Sequence, residues 1–287
     1  MGRPSEPRVL AVMDHVRHNL TGALTLRELA AVAGYSPHHF HRVFKQATGE
    51  TVSDFTRRAR LERAVQLMRG SPERELSSIS AEVGFATPSD FARVFRARFG
   101  RTPSSWDRVS VLGPVDPTDG AIGTGAPSPS TPVLRRRPAV RVAFVRIRDP
   151  WVGDRLADGH DRLARRLGDR GIERDAGELL GLSWESAKAT PTPNLTYDLG
   201  ITVGPYVEAD GEIGVHELPA GRTVEIRCRT LLETAAAWEH LYNVWLPTSC
   251  WEPADGPAVK WFRRRPEVLD ARAWDVDCSI AVRPRWP

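Results

Sequence analysis

One stretch of this chain is written twice. Ser36-Pro-His-His-Phe-His-Arg-Val-Phe-Lys-Gln-Ala-Thr-Gly49 returns as Thr87-Pro-Ser-Asp-Phe-Ala-Arg-Val-Phe-Arg-Ala-Arg-Phe-Gly100, with matched Pro, Phe, Arg, Val and Gly positions at an offset of 51. Upstream the offset is 50, as in Leu26/Leu76, Leu29/Ile79, Ala31/Ala81 and Gly34/Gly84, so one residue is inserted at the turn after the glycine. Shared apolar spacing, glycines and prolines require the same local fold in both places. That fold reads as helix, tight turn, then a second helix rich in basic residues.

In the first copy, Thr25 with Glu28 three residues on is a capping box. Leu26, Leu29, Ala30 and Ala33 continue as a helical stripe. Gly34 supplies the positive φ that ends the helix. Ser36-Pro37 restarts the chain as N-cap plus proline at the first helical position. Phe40, Val43 and Phe44 face inward, leaving His38, His41, Arg42 and Lys45 elsewhere; the second copy does the same with Phe91, Val94 and Phe95. Val52–Arg69 has no internal breaker and reads as one connecting helix of about 18 residues, roughly 27 Å long. Two helix-turn-helix units on such a spacer suit two successive major-groove segments of duplex DNA, about one turn apart.

Charge follows the repeat. Residues 1–112 hold 17 Lys+Arg against 11 Asp+Glu, while the rest of the chain holds 23 against 25. Positive charge therefore concentrates where phosphate neutralisation requires it. There is no apolar run near the ~20 residues that span a membrane. The first residues lack the apolar core of a signal peptide, so a cytoplasmic protein is expected. Cys228, Cys250 and Cys278 are odd in number and lack metal spacing, as in a reducing compartment.

Leu29-Ala-Ala-Val-Ala-Gly-Tyr-Ser36, Arg60-Leu-Glu-Arg-Ala64, Val83-Gly-Phe85, Phe91-Ala-Arg-Val-Phe95 and Phe99-Gly-Arg-Thr-Pro-Ser-Ser-Trp106 resemble the AraC/XylS family of bacterial transcription regulators over residues 8–108. The resemblance implies that His38, His41 and Arg42 approach bases in one groove segment and Ser89, Asp90 and Arg93 in the next. It also implies contact with RNA polymerase. The expected DNA-facing set is Ser36, His38, His39, His41, Arg42 and Lys45, with Thr87, Ser89, Asp90, Arg93 and Arg96. Asp90 has two readings: it stabilises its own helix N-terminus, or it accepts from a cytosine amine. His38 and His41 lie three apart, but no third metal ligand is evident.

After Arg108 the composition shifts. Residues 113–132 are rich in Gly, Pro and Ser and read as a flexible linker between domains 1–112 and 133–287. The second domain carries its own repeat: Pro138–Arg148 resembles Pro219–Arg229 at an offset of 81, and each strand-like stretch leads into a helix, 153–169 or 232–245. Strands over 179–184 and 197–203 follow the first helix, and strands over 258–262 and 274–282 follow the second. Trp184/Trp261 and Asp198/Asp275 correspond at an offset of 77. The expected architecture is an all-α tandem helix-turn-helix domain followed by an α+β domain of duplicated β-α-β-β units, with a crevice between its halves.

Eight of the nine tryptophans lie in this second part, enough to line a pocket for an apolar or aromatic ligand or to fill a small core. Tyr197-Asp-Leu-Gly-Ile201, Leu218-Pro-Ala-Gly221, Trp238-Glu-His-Leu-Tyr242 and Trp245-Leu-Pro-Thr-Ser249 resemble the GyrI-like effector-binding domain. Members that bind cationic drugs or hydrolyse small ligands carry a glutamate where this chain has Val259-Lys260-Trp261-Phe262. Lys260 would repel a cation at short range, favouring a neutral or anionic aromatic effector; alternatively its side chain faces solvent and no ligand binds there. The expected ligand set is Trp184, Tyr197, Trp238, Trp245, Lys260, Trp261 and Trp274. The resulting expectation is a DNA-binding transcription regulator, not an enzyme, whose second domain senses a small molecule or a protein partner. A GyrI-like hydrolase or a protein-sequestering module on a DNA-binding appendage is the alternative. A hydrolase needs an activated nucleophile or an acid/base carboxylate; the acidic candidates Glu185, Glu239 and Asp198 have two readings, a place near the crevice or, the favoured one, a surface role. None of these readings calls for a cofactor or a metal.

Overall fold

The computed structural model describes residues 6–106, 130–173, 176–186, 190, 195–210, 213–264 and 274–286. Residues 113–129 of the expected linker lie outside this set. The chain divides into two compact units, 1–110 and 111–287.

The first unit is helical throughout: α1 (Glu6–His18), α2 (Leu26–Val32), α3 (Pro37–Thr48), α4 (Val52–Gly70), α5 (Leu76–Glu82) and α6 (Pro88–Phe99). Helix α1 is an addition to the sequence reading. Val9, Val12, Met13 and Val16 make its stripe at i, i+3, i+4 and i+7, and all four are buried against Leu29, Phe40, Phe44 and Phe55. The Thr25–Glu28 capping box is formed, but α5 opens at Glu75 with no side-chain cap, so the two copies differ there. Gly34 and Gly84 take φ of 66° and 88° between the helices of each unit. A Cβ on Gly84 would also collide with the Leu20 carbonyl oxygen, the same oxygen that accepts from Arg60 Nε at 2.9 Å.

Helix α4 matches the expected spacer and is buried on more than one face. Phe55, Leu61, Ala64, Leu67 and Met68 pack in the core, alongside buried Arg58, Glu62 and Arg63. Charges at such positions need partners. Arg58 donates to Glu50 at 2.7 Å, and Arg63 pairs with Glu82 at 3.6 Å.

The second unit comprises β1 (Val133–Arg137), β2 (Val140–Arg148), α7 (Arg155–Gly168), β3 (Leu179–Ser183), β4 (Thr196–Val203), β5 (Gly214–Leu218), β6 (Gly221–Cys228) and α8 (Leu231–His240). A π-helical turn, Leu241–Trp245, carries α8 into the short α9 (Leu246–Thr248); β7 (Trp251–Pro253), β8 (Ala258–Phe262) and β9 (Val276–Pro284) follow. One antiparallel sheet runs β1-β6-β9-β8-β3-β4-β2-β5, with β7 also on β9. The duplication is plain in this order. The halves β2-α7-β3-β4 and β6-α8-β8-β9 meet at the β3–β8 pair, about which the sheet order is symmetric.

Strands β1 and β2 are separated only by residues 138–139, and β5 and β6 only by 219–220, yet each pair spans opposite ends of the sheet order. Three peptide steps reach only about 10 Å. The sheet therefore curls until its ends meet, and each half lends the other an edge strand. Strands β1, β5 and β7 are additions to the expected set; in β1, Val133–Arg137 shows no inside–outside alternation and is almost wholly exposed.

Strand register corrects the alignment of the halves. Val145 pairs with Leu199, and its counterpart Ile226 pairs with Cys278, so β4 and β9 correspond at an offset of 79 (278 against 199) rather than 77. Asp198 is therefore the equivalent of Asp277. On β3 and β8 the same offset makes Gly181 the equivalent of Lys260, and these two face each other across the central pair.

Helices α7 and α8 cover one face of the sheet: α7 lies on β2 and β4, α8 on β6 and β9. Ala143, Val145, Tyr197, Leu199, Ile226, Cys278 and Ile280 point into that core. The alternate residues Val142, Leu180, Leu182, Val259 and Trp261 cluster on the other face.

Candidate DNA interface and effector site

Helices α3 and α6 begin alike. Ser36 Oγ accepts from the His39 amide at 3.4 Å, and Thr87 Oγ1 from the Asp90 amide at 3.1 Å, each followed by proline. Both helices end on a left-handed glycine, Gly49 or Gly100. Phe40 and Phe44, like Phe91 and Phe95, lock the inner face through edge-on ring pairs 5.6 and 5.5 Å apart. His38, His41, Arg42 and Lys45 on α3, and Ser89, Arg93 and Arg96 on α6, are exposed. The caps Ser36 and Thr87 are also exposed, with their side chains already engaged by the helix.

Two residues of the expected DNA-facing set sit differently. His39 is half-buried, edge-on to Tyr35 at 4.8 Å, with Arg42 Nη2 3.4 Å from its Nδ1. Asp90 accepts from Arg93 at 2.5 Å, so α6 presents an internally neutralised pair where α3 presents histidines and a cation. Among the described residues no group of three His, Cys, Asp or Glu converges as metal ligands.

In the second unit the expected ligand residues fall on both faces of the sheet. Lys260 does not face solvent; it is 5% exposed and points into the helix-covered core. Its Nζ lies 5.2 Å from the ring centroid of Trp151, 5.4 Å from Tyr197 and 5.7 Å from Trp274. Trp151, between β2 and α7, joins this cluster although it is not in the expected ligand set, and nothing in the sequence beyond its indole marks it. Trp238 and Trp245 are half-buried against the same core. Trp261, one residue from Lys260, is on the opposite face, where the Arg137 guanidinium stacks 4.3 Å from its ring. Trp184 is also remote from Lys260, 5.8 Å from the His216 ring.

Glu185 and Asp198 are not surface residues. Glu185 accepts from the Thr196 amide and hydroxyl, at 3.3 and 2.8 Å. Asp198 is fully buried, accepting from Arg146 Nε and Nη2 at 2.5 Å each and contacting His216 Nε2 at 2.8 Å. Burial alone would raise the Asp198 pKa, but the Arg146 charge and the hydrogen bonds from Arg146 and His216 outweigh it and hold the carboxyl below the usual range. His216 in turn stacks on Phe144 with centroids 4.0 Å apart.

The paired, similarly capped helices α3 and α6 form a double helix-turn-helix unit, and the curled, duplicated sheet with its two helices forms a second, α+β unit. The helix-turn-helix domain family model matches residues 29–108, and that of the GyrI-like small molecule binding domain matches residues 130–280. The regulatory protein SoxS of Escherichia coli K12 is 35% identical over 83 residues, covering 29% of this chain and 77% of that protein. The transcriptional regulator Rob of Salmonella typhimurium is 33% identical over 92 residues, covering 32% of each chain. A transcriptional regulator from Chromobacterium violaceum with an AraC-type DNA-binding domain is 26% identical and covers 35% of this chain and 88% of that one, with a TM-score of 0.32. The chain belongs to the AraC family of DNA-binding transcription regulators and carries a GyrI-like C-terminal domain. No described helix is long and apolar enough to cross a membrane.

Proposed function

We propose that this chain is a one-component cytoplasmic regulator that reads an asymmetric DNA site with α3 and α6 and senses a neutral or anionic aromatic molecule with its second unit. The observation that carries the DNA reading is the pair of unlike faces on like scaffolds: His38, His41 and Arg42 against Ser89, Asp90 and Arg93. Arg42 and Arg93 occupy equivalent exposed positions, each leaning on the residue three before it. An arginine bidentate to guanine is worth about 1–3 kcal/mol. Arg42→Ala and Arg93→Ala should each weaken binding by that amount and relax base preference in one half of a selected site only. Loss spread evenly over all sequences would show phosphate contacts instead.

The effector reading rests on two features of the second unit. Lys260 fills the aromatic cluster from within, which disfavours an external cation there. An open cleft of ≈ 690 Å³ lies near Arg135, Arg136, Arg137, Trp261 and Arg263, within the size range of small-molecule sites. Glu178 and Asp277 also line it against four arginines, of which Arg135 and Arg137 pair with Glu225 and Arg263 with Asp277. Titrating tryptophan fluorescence with matched cationic and anionic aromatic compounds should show tighter binding of the anion, and tighter cation binding would defeat this reading. Contact with RNA polymerase is part of the same proposal. A hydrolytic role fits less well, since Glu185 and Asp198 are committed to Thr196 and to Arg146 and His216.

A further inference from the structure

Lysine is among the side chains least often buried, because taking an ammonium out of water is costly unless something replaces its hydration. Lys260 is 5% exposed, and its Nζ has the rings of Trp151, Tyr197 and Trp274 within 5.2–5.7 Å. Rings at that range attract a cation through their quadrupoles, and several rings around one cation resemble the aromatic cages that bind quaternary ammonium ligands.

Two further observations bear on this spot. Tyr197 and Trp274 are each 1% exposed, yet the Tyr197 hydroxyl and the Trp274 indole N–H have no hydrogen-bond partner among the described residues. Buried polar atoms of this kind are uncommon outside ligand sites and strained sites. The equivalent of Lys260 in the other half of the sheet is Gly181, directly across the β3–β8 pair, so the fold itself requires no amine at this position.

We infer that Lys260 is the built-in occupant of an amine-binding aromatic cage: the domain holds a receptor site for a small primary alkylammonium ion, and its own side chain keeps that site filled. This inference rests on the reading of the second unit as a small-molecule domain. It replaces repulsion by occupancy as the reason an external cation is excluded.

Lys260→Ala deletes three methylenes and the amine, which n-propylammonium restores. Propylammonium should quench tryptophan fluorescence of the variant saturably and raise its melting temperature, binding about tenfold more tightly than 1-propanol. The wild-type chain should give no saturable response. Lys260→Met, which refills the cage without an amine, should give none either. A folded Lys260→Ala chain that ignores propylammonium, or responds equally to propanol, overturns the inference, as does a wild-type chain that binds propylammonium as tightly. If Lys260→Ala folds only with propylammonium present, the inference stands; if it fails to fold with or without the amine while Lys260→Met folds, the inference falls. The anion–cation titration of the wild-type chain is independent of these variants, so failure of the effector reading and failure of the cage are told apart.

Discussion

Replacing Asp198 by Asn lowers the stability of the second unit by about 3–5 kcal/mol, the usual result of removing one partner from a buried ion pair. Asp198 is 0% exposed and the Arg146 side chain 2%, so water cannot replace the lost carboxylate, and the guanidinium loses the charge that its Nε and Nη2 held. His216, whose ring is clamped on Phe144, loses its partner in the same step. Urea unfolding monitored by tryptophan fluorescence measures the loss, and a change below about 1 kcal/mol would mean that the charges relax to water. The sign of the pH dependence follows from the depressed Asp198 pKa. A carboxyl held lower in the folded than in the unfolded chain contributes fully above its unfolded value of ~3.9, and that contribution is lost as pH falls further towards the folded value. The part of the gap between wild type and Asp198→Asn that comes from the Asp198 charge should thus be fully present above about pH 5 and shrink below about pH 4.

Gly181→Ala should cost about 3 kcal/mol, at the upper end for overpacking a tight core. The backbone there is ordinary strand, so the demand for glycine is one of space: an added Cβ would fall inside the phenol of Tyr197, against its hydroxyl oxygen and Cζ. Tyr197 has nowhere to go, being buried beside Trp151 and Lys260 Nζ. Tyr197→Phe removes the nearest clashing atom but not the ring carbon, so the double variant should recover part of the loss. Strict additivity of the two substitutions would show that Gly181 and Tyr197 do not press on each other.

Much of the first unit was legible because its signals are local. A capping box, two Ser/Thr-Pro starts and four left-handed glycines act within a turn of themselves, and the structure has each of the predicted helices near its expected bounds. The absent side-chain cap on α5 is legible in the residue itself, since the repeat puts Glu75 where Thr25 stands and glutamate is not a preferred helix N-cap. In the second unit the repeat predicted the strands and helix of each half but not β1, β5 or β7, and it set the halves in the wrong phase. An offset of 77 matches Trp184 to Trp261, whereas hydrogen-bond register sets 79 and pairs Gly181 with Lys260. A shift of two residues preserves the inside–outside alternation, so side-chain pattern alone cannot detect it.

The sequence by itself determined the two-part organisation, the tandem helix-turn-helix units with their unlike exposed residues, and the duplicated strand-helix-strand-strand plan. Those follow from short-range periodicity and capping, whose physics is complete within a few residues. Only the tertiary structure decided which tryptophans meet Lys260. Strand alternation sends adjacent Trp261 to the far face, while Trp151 and Trp274 arrive from segments more than 120 residues apart. The destination of Lys260 was likewise open in the sequence, because a lysine on a half-buried strand is compatible with solvent or with a core. The rings that receive its amine come together only when the sheet curls and its halves meet.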